Sequence, residues 1–274
     1  MPKAFFTSLT LIIMFSLASQ ANAQGSNVYF DSDFALGFGA AYQDADAKLG
    51  ASVANLPEIT VDLEDLGMDT EDWSWALEGR WRFKPKWMLV GLAYTFSQDG
   101  SRSVERDFNF DGKEFKAGAS VDTELEVDTY ILDVMYSVFR NDKTEILLGG
   151  GIHAIDLEAS ISGRAFVGEA ERERATGTSE ILAPLPNIRA QMYYAITDRW
   201  GFRAALGWLS ANYDQYDGSF VYFHPRIGYA FTERWAAVLG YQWVDIDLTR
   251  EQSNREAEFK VDFEGPTLFF NYRF

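Results

Sequence analysis

The sequence predicts an all-β fold: ten antiparallel strands closed into an up-and-down transmembrane β-barrel. Three observations predict it. Nearly every apolar segment alternates with a period of two, which assigns one residue set to each face of a strand. The connections between these segments alternate strictly between short and long. The composition is 16% aromatic, with 22 Phe, 13 Tyr and 8 Trp beside 22 Gly and only 7 Pro, as strands and interfaces favour. No apolar run beyond Leu17 reaches the ~18 residues of a membrane-spanning helix. With no cysteine, disulfide frameworks, thiolate metal sites and cysteine nucleophiles are excluded. A pI near 4.5 argues against nucleic acid, whose phosphates need a basic face.

The first 23 residues read as a cleavable secretory signal: Lys3, an apolar stretch from Ala4 to Leu17, and the small-x-small site Ala21-Asn22-Ala23. Residues 24–274 then form a single barrel domain. Its first strand alternates Phe34, Leu36, Phe38, Ala40 and Tyr42 against small residues, and the second Trp73, Trp75, Leu77, Trp81 and Phe83 against Glu78, Arg80 and Arg82. The third sets Met88, Val90, Leu92, Tyr94 and Phe96 against Leu89, Gly91, Ala93 and Thr95; the fourth sets Tyr130, Leu132, Val134, Tyr136 and Val138 against Asp133 and its neighbours. Less regular strands over 145–156, 200–211 and 235–245 join cleaner ones around Ile188–Tyr194, Phe223–Phe231 and Leu268–Phe274. Eight strands is the alternative if the first long loop or the region after Gln98 is misread.

Four connections are short: Lys84-Pro85-Lys86, Arg140 to Lys143, Thr197-Asp198-Arg199 and Thr232-Glu233-Arg234. The other five are read as long loops over 43–72, 97–127, 157–181, 212–220 and 246–262. A meander places all short turns at one end. That end repeats, Tyr194-Ala-Ile-Thr-Asp-Arg-Trp200 recurring as Tyr229-Ala-Phe-Thr-Glu-Arg-Trp235, as a hairpin end in a membrane interface would.

Alternation alone does not say which face meets lipid. The bulky sets are almost free of charge, and the facing sets carry Glu78, Arg80, Arg82, Asp133, Arg189, Arg203, His224, Arg226 and Arg273. Arginine facing mid-bilayer costs ~2–4 kcal/mol, so these groups are expected in a narrow, salt-bridged lumen, together with Asp33. An arginine-lined anion-tolerant pore is the functional alternative. The final alternation Leu268, Phe270, Tyr272, Phe274 resembles the closing strand of Gram-negative outer-membrane β-barrel proteins. That resemblance implies an assembly signal read by the barrel-assembly machinery, outer-membrane lipid and lipopolysaccharide as surroundings, short turns in the periplasm and long loops outside the cell.

Residues 24–274 carry a net charge of −18, and the five long connections hold all of it, with −8 over 43–72 alone. Such loops suit contact with lipopolysaccharide phosphates through divalent cations, although Asp62-Leu-Glu-Asp-Leu-Gly-Met-Asp-Thr-Glu-Asp72 lacks the ordered spacing of a calcium loop. Outer-membrane enzymes offer a contrast. Omptin proteases use Asp and His at the outer rim, and lipid A deacylases and the outer-membrane phospholipase use a His–Ser pair on the lipid side. Here His153 and His224 are the only histidines, both on strands, with no serine at a matching spacing. The expectation is a non-enzymatic surface barrel for envelope structure, surface contact or ligand binding, needing no cofactor. A narrow pore and a lipid- or peptide-modifying enzyme are the alternatives.

Overall fold

The computed structural model describes residues 28–53, 61–62, 71–103, 105, 107–110, 113–167, 170–213, 216–252 and 255–274. The signal sequence expected over 1–23 lies outside them. One helical turn, α1 (Val28–Asp31), precedes β1 (Phe34–Val53), β2 (Val61–Asp62), β3 (Glu71–Lys84), β4 (Trp87–Ser103), β5 (Phe108–Phe110), β6 (Lys113–Phe115) and β7 (Ser120–Arg140). The chain continues through β8 (Thr144–Val167), β9 (Ala170–Ala195), β10 (Trp200–Tyr213), β11 (Tyr216–Ala230), β12 (Trp235–Gln252) and β13 (Arg255–Arg273).

Ten of these strands form one closed antiparallel ring. Neighbours in sequence pair throughout, β8 pairs β9, and β1 pairs β13 to seal the wall. Closure leaves no open strand edge in hydrocarbon, where unpaired backbone groups are costly. β2 pairs β1, and the β5–β6 hairpin pairs the upper part of β8.

The tight end is built as the repeat implies. Thr197 Oγ1 accepts from the Trp200 amide at 3.0 Å, and Thr232 Oγ1 from the Trp235 amide at 2.8 Å. Each tryptophan then lies against a tyrosine of the adjacent strand, Trp200 on Tyr229 and Trp235 on Tyr272, with ring centroids 4.9 Å apart in both pairs. All eight tryptophans point outward, between 40% and 59% exposed.

Two expectations need correction. The segments read as long loops are largely wall. β8 has 24 residues and β9 has 26, roughly 80 Å of strand at ~3.3 Å per residue, against the 9–11 residues a bilayer crossing takes. β8 pairs β9 up to Val167↔Ala170 and β12 pairs β13 up to Gln252↔Arg255, whereas among the described residues β9 pairs β10 only over Ile188–Ala195. The second correction concerns β4. Met88, Val90, Leu92 and Phe96 face inward, being at most 9% exposed. Opposed residues share a face, and β3 presents Trp81 to Leu89, Gly79 to Gly91 and Leu77 to Ala93. Both sets of β4 are apolar, so the pairing decides what the alternation does not.

Along the wall, polarity changes sign. In β7, Tyr130, Leu132, Val134 and Val138 face out near the tight end, with Asp133 and Ser137 inside. Higher in the same strand Asp122, Glu124 and Glu126 face out, and Val121, Leu125 and Val127 are buried. In β8, Ile152 faces out and, a few residues later, Asp156 and Glu158 do, while Ile155 and Leu157 are fully buried. The lower wall is arranged for lipid and the upper wall for water around an apolar core.

Candidate functional site

The polar interior of the lower barrel centres on Glu78. The Arg203 guanidinium donates to its two carboxylate oxygens at 2.9 and 3.0 Å, Asn271 Nδ2 donates at 3.1 Å, and Arg226 Nη1 donates to Oε2. The hub depends on Gly37 in β1, where an added Cβ would come within 2.6 Å of Glu78 Cγ. Arg226 also donates through Nε to His224 Nε2 at 2.9 Å. Arg226 Nη2 also lies 2.7 Å from His224 Nδ1, which is 2.9 Å from the Tyr222 hydroxyl, and Nε2 is 2.8 Å from the Thr267 hydroxyl. Gly240 makes room for this group, since a Cβ there would lie 2.8 Å from Arg226 Cγ and 2.9 Å from His224 Nε2.

Two further ion pairs flank the hub. Arg189 Nη1 lies 2.9 Å from Asp133 Oδ2, and Arg82 Nη2 lies 2.7 Å from Glu145 Oε2. Thus Glu78, Arg82, Asp133, Arg189, Arg203, His224 and Arg226, inferred as lumen groups, are brought together or paired inside the barrel. Arg80 joins by other means: its CZ sits 4.2 Å over the Tyr29 ring, and both Nη atoms lie 3.3 Å from the Tyr29 carbonyl oxygen. Arg273 is buried near the tight end, 3.5 Å from the Thr232 carbonyl oxygen. Asp33 is a correction: it is exposed, just before β1, where its carbonyl accepts from the Arg82 amide at 2.6 Å.

Sequence reasoning missed Asn271 and Tyr222, which meet Glu78 and His224, and two further participants. Glu145 is fully buried; it stands at the start of an irregular strand, though its parity with Leu147 and His153 marks it as inward. Tyr29, in the turn of helix before the first strand, stacks on Tyr193 at 3.6 Å and caps the tight end of the lumen. Nothing in the alternation pattern reaches α1.

Above the network the interior is largely apolar, with Thr123, Thr129 and the hydrogen-bonded Ser74–Gln43 pair among its buried polar groups. Phe96 packs on Phe263 across the barrel at 5.3 Å, and Phe110, Phe115, Ile155 and Leu157 are fully buried. His153 faces inward, edge-on to Phe220 at 4.2 Å, with neither ring nitrogen hydrogen-bonded to a described residue. Both histidines are therefore enclosed by the wall, away from the rim.

On the outer face of the upper wall, carboxylates stand opposite carboxylates. Asp46 faces Asp262, which faces Asp245; Asp128 faces Asp156; Glu126 faces Glu158. Partial burial first, then the hydrogen bond with and charge of Asp245, raise the Asp262 carboxyl to about 6. Among the described residues no group of three or more His, Cys, Asp or Glu side chains is arranged to hold a metal ion. Leu268, Phe270 and Tyr272 lie on the outward face of β13, and Phe274, just beyond it, is 68% exposed.

No protein-family model matches the sequence, and no curated protein is significantly similar to it. Among solved structures, the outer-membrane protease OmpT of Escherichia coli shares the fold with a TM-score of 0.57 at 11% identity, over 88% of this chain and 97% of that one. The toluene transporter TodX of Pseudomonas putida is more distant, with a TM-score of 0.32 at 8% identity over 88% and 90%. The attachment invasion locus protein Ail of Yersinia pestis gives 0.27 at 7% identity over 86% and 98%. A closed ring of ten antiparallel strands with outward-facing aromatics defines the class by fold: the chain has the closed β-barrel fold that the outer-membrane protease shares.

Proposed function

We propose that the protein is a closed, non-enzymatic surface barrel that meets its surroundings through the acidic outer face of its upper wall. The facing carboxylates of β1, β13 and β12 and of β7 and β8 carry this reading. Like charges directly opposite one another are destabilising, and divalent cations shared with lipopolysaccharide phosphates would offset that cost where the wall leaves the bilayer. The tight turns then lie in the periplasm, and the Phe274 strand serves the barrel-assembly machinery during insertion.

The filled interior supports a closed barrel over the pore alternative. The Glu78 hub, the Phe96–Phe263 layer and the Tyr29 cap occupy successive levels of the lumen. The enclosed positions of His153 and His224 support a non-enzymatic role over protease or lipase chemistry, since neither ring reaches the rim or the lipid. The likeness to OmpT concerns the fold alone.

The test is reconstitution of residues 24–274 with and without lipopolysaccharide. The proposal expects lipopolysaccharide to raise thermal stability in magnesium and to lose that effect in chelator. In the triple variant Asp46→Asn, Asp245→Asn, Asp262→Asn the increment should fall by at least half. An increment unchanged by the triple variant overturns surface contact through this face. Steady single-channel currents in planar bilayers overturn the closed reading in favour of the pore. Peptide or lipid hydrolysis that disappears in His153→Ala or His224→Ala overturns the non-enzymatic one.

A further inference from the structure

Among the described residues, the arginines of the lower lumen outnumber its carboxylates. Beneath the Glu78 hub lies a cavity of about 80 Å³ lined by Arg80, Arg199, Arg203, Arg226 and Arg273, with Tyr29 closing it towards the tight end. Among the described residues no acidic side chain lines it. Glu78 is shared by Arg203 and Arg226. Arg80 meets the ring and carbonyl of Tyr29 and no carboxylate among the described residues.

Gathering guanidinium groups around a void in a low-dielectric wall is costly without an opposing charge. Their planar forks donate in pairs to the oxygens of phosphate and carboxylate. The volume is that of several waters, enough for one tetrahedral oxyanion and too little for a lipid headgroup with its chains. Small residues, Ala35, Gly201, Gly228 and Ala230, make up much of the remaining wall beside Tyr193, Val238 and Asn271.

We propose that this cavity is a binding site for one small soluble oxyanion of phosphate type, held by Arg80, Arg203 and Arg226 behind the Tyr29 cap. Arg199 stands at the mouth, so the anion enters from the tight-turn side. The site is independent of the acidic outer face and of any contact made there.

Inorganic phosphate is the probe. Detergent-folded protein is titrated by equilibrium dialysis at fixed ionic strength, with chloride as the balancing anion. Saturable binding near one phosphate per barrel is expected, with a dissociation constant raised about tenfold or more by Arg80→Gln. Lys143→Gln, a change on the same rim outside the cavity, is expected to bind as the parent does. Tyr29→Ala keeps all five guanidinium groups and should retain the stoichiometry; loss of saturable binding in it would overturn the arginine-held site. Should Arg80→Gln fail to fold, as judged by loss of its heat-dependent gel shift, Arg199→Gln replaces it with an expected weakening of at least about threefold. Binding that fails to saturate, that chloride displaces at equal concentration, or that the cavity-arginine variant leaves at parent affinity overturns the proposal.

Discussion

The lower and upper parts of this wall are built from the same strands with opposite polarity. Near the tight end β7 turns Leu132 outward and Asp133 inward; six residues before Leu132 the same strand turns Glu126 outward, beside a fully buried Val127. Strand parity does not change between the two regions, so the backbone is indifferent to the reversal. The solvent outside decides it. In hydrocarbon the apolar set gains contact and charges must be paired within, whereas above the bilayer the hydrophobic effect draws the apolar set inward. A single chain thus carries a membrane barrel and, continuous with it, a water-facing barrel with a core of Phe96, Phe263, Ile155 and Leu157.

The largest way to break this contrast lies in the lower lumen. Glu78→Gln leaves Arg203 and Arg226 without their shared carboxylate, and removal of one partner from a buried ionic group typically costs ~3–5 kcal/mol. Urea unfolding in detergent checks it; a loss below 1 kcal/mol would mean that water already solvates these arginines. Next comes Leu157→Ala in the upper core, where a fully buried leucine predicts a loss of ~2–5 kcal/mol. If that loss is absent, the upper barrel is not packed as a core.

A paired change on one face sharpens the contrast. Leu132→Arg is expected to cost ~2–4 kcal/mol, and Glu126→Arg on the same outward set within about 0.5 kcal/mol. Equal costs would erase the bilayer boundary between them. The smallest effect is electrostatic. Because the Asp262 carboxyl titrates at about 6, above the ordinary value of ~3.9, the folded state holds this proton more tightly than the unfolded chain does. Its contribution is most favourable at low pH and is lost as pH rises through about 6. Asp262→Asn should therefore raise the melting temperature slightly at pH 8 and leave it unchanged near pH 4, by well under ~1 kcal/mol after solvent screening.

How much of this was legible in the sequence follows from what each residue reports. The outward sets of β1, β3 and β7 were readable because bulky and small or charged residues alternate cleanly, and Arg189 with Asp133 followed from the same parity. Glu145 was not, because the strand it opens begins at an irregular turn. The upper extensions looked like loops because acidic residues alternate there with modest apolar ones, the pattern of a wall that faces water. Tyr29 lies outside any alternating segment, and only its stacking on Tyr193 reveals it.

By itself, the sequence determined ten strands, the side that carries the tight turns, and the partition of charge between a paired interior and an acidic far end, since period-two patterning and turn chemistry are local. The tertiary structure alone decided which face of β4 looks inward, how far the wall rises above the bilayer, and that the arginines converge on a capped cavity. These depend on register and ring closure. Opposed residues must share a face, and the partner of each strand is fixed only when the last strand meets the first.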